Sequence, residues 1–232
     1  MNIIISGASK GIGKALAMRF ASNTNKLILC ARSMNLLQSV QIEINQLFPQ
    51  AIIYLYKTDL SQKENAIAFG NFCLSTFNPD VLINNVGHYS PGNVVDQSDE
   101  ILESMMNINF YSAYHLTRVI LPSMIERRSG HIFNNCSVAS LKAYDGGGGY
   151  SISKFALNGF SQNLRHELKT KGVKVTAFYS GAVLTESWGD YDNSNKRMME
   201  ASDIAETIYA TTQLSQQAVV EEILIRPQLG DL

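Results

Sequence analysis

The sequence predicts a doubly wound α/β fold, a parallel sheet of about seven strands with helices on both faces. Three observations carry this. Short aliphatic runs alternate with longer helical stretches along the whole chain. The runs are continuous, as in Lys26-Leu27-Ile28-Leu29-Cys30 and Val173-Lys174-Val175-Thr176-Ala177-Phe178, which suits strands covered on both faces. A glycine-rich turn, Ser6-Gly7-Ala8-Ser9-Lys10-Gly11-Ile12-Gly13, follows the first run directly.

Taken in order, the strand at 2–6 leads into a helix at 12–22, 26–31 into 34–47, and 51–57 into 61–76. The strand at 80–84 leads into 98–127, 130–136 into 150–170, and 173–179 into 202–214, with a last strand at 219–225. Right-handed crossovers between such units build one doubly wound sheet. No repeat, linker or low-complexity tract interrupts the 232 residues, so 1–232 is expected to be a single domain. Gly146-Gly147-Gly148-Gly149 is expected to be a mobile entry to the helix that follows it. The irregular stretch 181–200 has the length of a lid over a ligand site.

Nineteen basic and 20 acidic residues leave a net charge of -1, which offers nothing to nucleic acid or another polyanion. The three cysteines, Cys30, Cys73 and Cys136, form no CxxC pair or zinc-ligand spacing, so no metal site is expected. They read as buried thiols in a reducing compartment. The start, Met1-Asn2-Ile3-Ile4-Ile5-Ser6, lacks the basic region of a signal peptide. No apolar stretch reaches the ~20 residues that span a bilayer. A cytoplasmic location is the expectation.

Gly7, Gly11 and Gly13 follow a strand and open a helix, the setting a dinucleotide phosphate needs. Open backbone N–H groups and the positive helix end stabilise pyrophosphate, and glycine lets the backbone approach it. The spacing GxxxGxG, taken alone, also fits a plain strand-to-helix turn. The second strand ends in Cys30-Ala31-Arg32-Ser33, without the carboxylate that would grip a ribose 2′-hydroxyl. Arg32 offers a planar cation for a 2′-phosphate, and Lys10 adds a second positive charge. These cations favour NADP(H) over NAD, against the alternative that both are solvated surface charges. Asp59-Leu60 closes the third strand and can contact adenine, while Asn84-Asn85-Val86-Gly87 closes the fourth at the same crevice. Asn84 also suits a structural role, bonding neighbouring backbone.

Tyr150 and Lys154 stand four residues apart on a predicted helix and share a face. A free tyrosine has a pKa of ~10, too high for acid–base work near neutrality, and a nearby ammonium favours the phenolate. Lys154 stands where it can do this and can also bind ribose hydroxyls. A lone YxxxK is common on amphipathic helices, so the pair counts because of its neighbours. Ser137 closes the fifth strand and can donate to a substrate carbonyl beside Tyr150. Asn109 lies inside a predicted helix, where asparagine is disfavoured. It can break the backbone ladder and hold a water linking Lys154 to solvent, with Asn107 as the competing candidate.

Together these motifs resemble the short-chain dehydrogenase/reductase family over essentially the full length. The GxxxGxG turn, the Asn-Asn-x-Gly segment, the helix asparagine, the strand serine and the Tyr-x-x-x-Lys pair come in that family's order. The resemblance implies that Tyr150 is general acid in carbonyl reduction, or base in the reverse direction. It implies that Lys154 tunes Tyr150 and binds ribose, that Ser137 orients substrate, and that Asn109 completes a proton relay. It also implies that Gly181, Val183 and Thr185 reach the nicotinamide, although Ser180 stands where the family usually has proline. A homodimer or homotetramer through helices 98–127 and 150–170 is expected on the same ground.

From Ser180 onward the chain looks like bacterial sepiapterin reductases and other small carbonyl reductases. A pterin needs a carboxylate for its amino-pyrimidine edge, and Glu186, Asp190 and Asp231 are the candidates, or simply surface charges. Trp188, the only tryptophan, can cover a flat substrate or pin its own loop. Tyr144, Tyr179 and Met198 are expected to line the same pocket. The predicted activity is NADPH-dependent ketone reduction on a small molecule, with sepiapterin or a vicinal diketone as candidate substrates. Reduction of 3-oxoacyl thioesters, alcohol oxidation, and cofactor sensing without catalysis are the alternatives. A thioester carrier would need basic residues at the pocket mouth, for which only Lys142, Lys196 and Arg197 stand out.

Overall fold

Successive side chains of a strand point to opposite faces, and in this chain both faces are apolar. In the computed structural model, which describes residues 1–231 with the Ser187 side chain and Leu232 outside the description, that pattern produces a covered parallel sheet. The strands are β1 (Asn2–Ser6), β2 (Lys26–Ala31), β3 (Ile52–Lys57), β4 (Val81–Asn84), β5 (Gly130–Ser137), β6 (Val173–Ser180) and β7 (Glu222–Ile225). The helices are α1 (Gly11–Phe20), α2 (Met34–Leu47), α3 (Lys63–Thr76), α4 (Asp99–Met105), α5 (Ser112–Glu126), α6 (Gly148–Leu168) and α7 (Ala201–Thr212).

The sheet order is β3-β2-β1-β4-β5-β6-β7, parallel throughout. Ile3 and Ile5 pack on the face covered by α1, α2 and α7, with Leu16, Phe20, Leu37, Ile44 and Ile208. Ile4, between them, packs on the opposite face with Phe69 of α3, Leu116 and Ile120 of α5 and Leu164 of α6. Each such fully buried side chain contributes about 1.5–3 kcal/mol relative to exposure. Strand order reverses between β1 and β4, so the loops after these two strands diverge and leave a crevice at their carboxyl ends.

The fold class is as the sequence predicts, and the differences are local. The last strand begins at Glu222 rather than at 219, because pairing with β6 starts at Ala177 opposite Glu222. The predicted helix 98–127 is not continuous. A π-helical segment, Met106–Tyr111, separates α4 from α5. The glycine run is not a free entry: Gly148 and Gly149 form the first turn of α6, and Gly147 and Gly149 are buried. Among the described residues, no helix is long and apolar enough to cross a membrane.

All three thiols are buried and unpaired. Burial pushes Cys30 up to about 12 and Cys136 up to about 11, so neither is a nucleophile near neutrality. His131, near the start of β5 and far along the strand from the crevice, is also buried. Thr176 Oγ1 donates to Val220 O at 2.6 Å, so His131 Nε2, 2.7 Å from the same hydroxyl, carries its hydrogen and donates to it. Burial, with Lys174 nearby, holds the imidazole down at about 3 against an ordinary 6.5.

A neutral buried histidine stabilises the fold above the unfolded-state pKa, and that stability is lost as acid protonates the unfolded chain first. Urea-unfolding stability is therefore expected to fall as pH drops from 6.5 towards 3. His131→Gln should flatten that part of the profile. An unchanged slope in the variant would remove His131 as its source.

Candidate active site

The glycine loop is shaped by contacts that exclude side chains. Gly7 and Gly11 have φ of 66° and 48°, in the left-handed region. A β carbon at Gly13 would lie 2.0 Å from Gly7 O and 2.6 Å from Asn85 Nδ2. Asn85 is the fastener here. Its Nδ2 donates to Ser6 O and Gly7 O at 3.2 Å each, and its N–H donates to Ser6 Oγ at 2.9 Å. Val86 N–H donates to the same hydroxyl at 3.3 Å. The turn after β1 is thus stitched to the turn after β4.

Helix α1 starts at Gly11 after Lys10, whose side chain does not cap it. A lysine has no acceptor, so the first-turn N–H groups receive no help from it. Lys10 and Arg32 are exposed, and Ser9, Ile12 and Ser33 are half-buried along the same edge. Ser33 Oγ accepts the Leu36 N–H at 3.4 Å and caps α2. Asp59 accepts the Ser61 N–H at 3.0 Å, so its carboxylate shapes the turn after β3, and Leu60 is buried beneath.

The second half of the site lies across the crevice. Asn109 sits inside the π-helical segment, fully buried. The widened turn shifts the backbone ladder from i−4 to i−5 pairing, and the Asn109 side-chain amide bonds outside the helix. Oδ1 accepts the His88 N–H at 2.7 Å, while Nδ2 donates to His88 O and Ser153 Oγ at 2.9 Å each. Asn109 therefore joins the loop after β4 to α6. The predicted break in the ladder is present, with both amide donors engaged by protein. Asn107 shares the segment but is exposed.

Lys154 is 3% exposed, and its Nζ donates to Asn135 O at 2.6 Å. The ammonium lies 5.8 Å from the centre of the Tyr150 ring. A β carbon at Gly87 would stand 3.5 Å from Lys154 Nζ and 3.6 Å from Asn109 Oδ1, so these three residues meet at one point. Ser137, 8% exposed, ends β5 two residues beyond Asn135. Its Oγ accepts the Ala139 N–H at 3.1 Å, and its own N–H donates to Ser140 Oγ at 3.0 Å. With one lone pair engaged, the hydroxyl keeps its O–H free to donate.

Of the predicted substrate residues, Tyr144 stands beside Tyr150. Its phenol is pushed up by burial and by the neighbouring Tyr89 and Tyr150. Trp188 is exposed and meets Tyr191 of its own segment edge-on, with ring centres 5.7 Å apart. Tyr179 is a correction. It points into the packing under α6, where its hydroxyl donates to Asn158 Oδ1 at 2.9 Å, because strand alternation turns it away from the face its neighbour Ser180 takes. Met198 is buried in the 181–200 segment. Val183 and Met199 form a parallel bridge that ties the ends of that segment together. Gly181 N–H donates to Ile225 O at 2.9 Å. A β carbon at Gly11 would fall 2.8 Å from Thr185 Cγ2, so Thr185 lies against the glycine loop.

Three residues at the site had no place in the sequence reading. Asn135, a polar residue in an apolar strand, was visible in principle. Tyr89 packs edge-on against Tyr150 with ring centres 5.0 Å apart, and Gln97 contacts the start of α6. Neither carries a local sequence signal.

The family model for short chain dehydrogenases matches residues 1–196, and the chain belongs to that family of oxidoreductases. An uncharacterised oxidoreductase of Staphylococcus aureus (strain MRSA252) is 31% identical over 226 residues, covering 97% of this chain and 96% of that protein. The sepiapterin reductase of Chlorobaculum tepidum is 30% identical over 239 residues, covering 99% and 97%. Among solved structures, a metagenomic short-chain oxidoreductase in complex with NADP is 28% identical with a TM-score of 0.85, covering 98% of this chain and 97% of that one. An alcohol dehydrogenase from Thermococcus sibiricus, complexed with 5-hydroxy-NADP, is 25% identical with a TM-score of 0.91, covering 100% and 98%.

Proposed function

We propose that the protein is an NADPH-dependent carbonyl reductase acting on a compact, flat ketone. The observation that carries this reading is the buried Lys154 ammonium, held on Asn135 O beside Gly87 and 5.8 Å from the centre of the Tyr150 ring, with Ser137 closing the same strand two residues beyond Asn135. The residues fit a phosphorylated dinucleotide. A side chain at Gly13 would collide with Gly7 O and break the loop, α1 opens uncapped, and Lys10 and Arg32 supply cations beside a second strand that ends without a carboxylate. Gly7, Ser9, Lys10, Gly11, Ile12, Gly13, Arg32, Ser33, Asp59, Leu60, Asn85, Val86, Gly87, Gly181, Val183 and Thr185 would hold it, with Tyr150 and Lys154 at its ribose. NADP complexes of similar structures support the same choice.

Bound NADPH supplies the hydride to the carbonyl carbon. Tyr150 gives its phenolic proton to the carbonyl oxygen, and Ser137 donates a hydrogen bond to that oxygen as negative charge develops on it. Lys154, anchored on Asn135 O, keeps a positive charge beside the phenol and stabilises the phenolate left behind. Asn109 holds the backbone at His88 against α6, the route by which a proton would return from solvent.

Tyr89 and Tyr144, both partly exposed beside Tyr150, give the entrance aromatic walls that suit a planar substrate such as sepiapterin or a vicinal diketone. The Chlorobaculum relative supports this class. The thioester alternative is weaker, because Arg197 is turned towards Gly230 O and Asp231 O at 3.5 and 3.4 Å. A cytoplasmic location goes with this reading, supported by the unpaired thiols.

Tyr150→Phe is expected to lower kcat for ketone reduction by about 10²–10⁴-fold while leaving NADPH affinity near wild type. Turnover close to wild type would sink the mechanism. For cofactor choice, Arg32→Ala should cut the ratio of kcat/KM for NADPH over NADH by about 10–100-fold, the loss of a charge-assisted bond to phosphate. An unchanged ratio would remove Arg32 from the 2′-phosphate site. We also propose a homodimer or homotetramer through α5 and α6, supported by the exposed Tyr111, Ile152 and Phe155 on these helices and the π-helical segment. Light scattering should give a mass of at least two chains, and a monomer would refute the assembly.

A further inference from the structure

Helix α6 carries Tyr150 and Lys154, yet it begins on glycines that cannot cap it. Its N-cap residue is Gly147, which has no side chain to accept the first-turn N–H groups. The missing acceptor comes from 52 residues earlier: Gln97 Oε1 accepts the Gly149 N–H at 2.9 Å. The other end of the same amide, Nε2, donates to Ser90 O at 3.2 Å. One side chain therefore holds two backbones. Gly149 immediately precedes Tyr150, and Ser90 immediately follows Tyr89, the residue whose ring meets Tyr150 edge-on at 86°.

The surroundings are built to this amide. Gln97 is half-buried in a loop whose neighbours, Asn93 to Asp96 and Ser98, are exposed. A β carbon at Gly148 would lie 2.7 Å from Gln97 Oε1 and 2.2 Å from Gly92 O. At Gly92, one would lie 2.5 Å from Gln97 Cγ. Two further bonds close the seam: Gly92 N–H to Gly146 O at 3.0 Å, and Gly146 N–H to Asn93 Oδ1 at 2.9 Å. The glycines at 146–149 let the loop 88–98 lie against the start of α6.

We propose that Gln97 is a positioning residue for the proton-transfer step, clamping Tyr150 against Tyr89 so that the phenol and the aromatic wall keep one geometry. The proposal rests on the reading of Tyr150 as the proton donor. It differs from a purely structural cap in one respect: the two ends of the amide should have separable kinetic effects. The Oε1 end fixes the turn that carries Tyr150, and therefore acts on kcat. The Nε2 end fixes the loop that carries Tyr89, and therefore acts on the KM of the carbonyl substrate.

Two variants separate these ends. Gln97→Met keeps the length and loses both bonds. Its kcat should fall about tenfold, since small misplacements of an acid–base group are costly, with the dissociation constant for NADPH unchanged. Gln97→Glu keeps an acceptor for Gly149 N–H but cannot donate to Ser90 O. It should restore kcat to within about twofold of wild type while KM for the ketone stays raised. A third measurement needs no turnover. Amide hydrogen exchange at Gly149 should accelerate about tenfold in Gln97→Met and remain protected in Gln97→Glu. If both variants keep wild-type kcat and KM and lose only melting temperature, Gln97 is a structural cap and the proposal fails. If Gly149 stays protected in Gln97→Met, the clamp itself is refuted. A wild-type protein inert towards every carbonyl tested would defeat the reductase reading alone, and the exchange rates would still decide the clamp.

Discussion

The site depends on one side chain that joins three strands at their carboxyl ends. Asn85, just past β4, donates to Ser6 O and Gly7 O at the end of β1 and accepts from Asn135 Nδ2 on β5 at 2.9 Å. Asn135 in turn accepts Lys154 Nζ through its backbone carbonyl. Phosphate cradle and candidate proton donor are thereby linked through two asparagines. Each bond is worth only about 1 kcal/mol net, but a buried partner left unpaired costs about 1–3 kcal/mol. The network therefore specifies geometry more than it adds stability, and losing Asn85 would orphan groups on both sides of the crevice.

Much of this was legible in the sequence for a definite reason. Strands covered on both faces write themselves as unbroken aliphatic runs, and a close backbone approach writes itself as glycine. Asn109 was visible because asparagine is out of place in a helix. The features that were not legible depend on partners distant along the chain. Nothing local announces that the helix around Asn109 widens to a π turn, or that its side-chain amide is recruited by His88 and Ser153. The glycine run 146–149 looks mobile in isolation and is ordered by Gln97, Asn93 and Gly92. Tyr179 stands at a strand end that the sequence places beside the pocket. Which way it points depends on strand register, and a one-residue difference reverses the face.

Charge is used sparingly. The chain is nearly neutral, with a formal charge of -1, and its electrostatic work is concentrated at a few sites. Lys10 and Arg32 stand exposed at the edge of the crevice, where a solvated cation costs little. Lys154 is the opposite case, an amine almost wholly withdrawn from water and held by a carbonyl. A buried cation of this kind exerts a stronger field on its neighbours than an exposed one.

The bridge between Val183 and Met199 has a consequence for how the molecule can change. Leu184 N–H donates to Met199 O at 2.8 Å and Met199 N–H to Ala182 O at 3.1 Å, so the chain between them leaves and returns at one seam. A segment closed at its base is a cassette. Its interior can lengthen, shorten or exchange residues while β6 and α7 stay in register. Closing a longer loop costs only about 0.6 kcal/mol per doubling of its length. The part of the chain around Trp188 can thus diverge in length and sequence while the strand ends beneath it remain fixed by their shared hydrogen bonds.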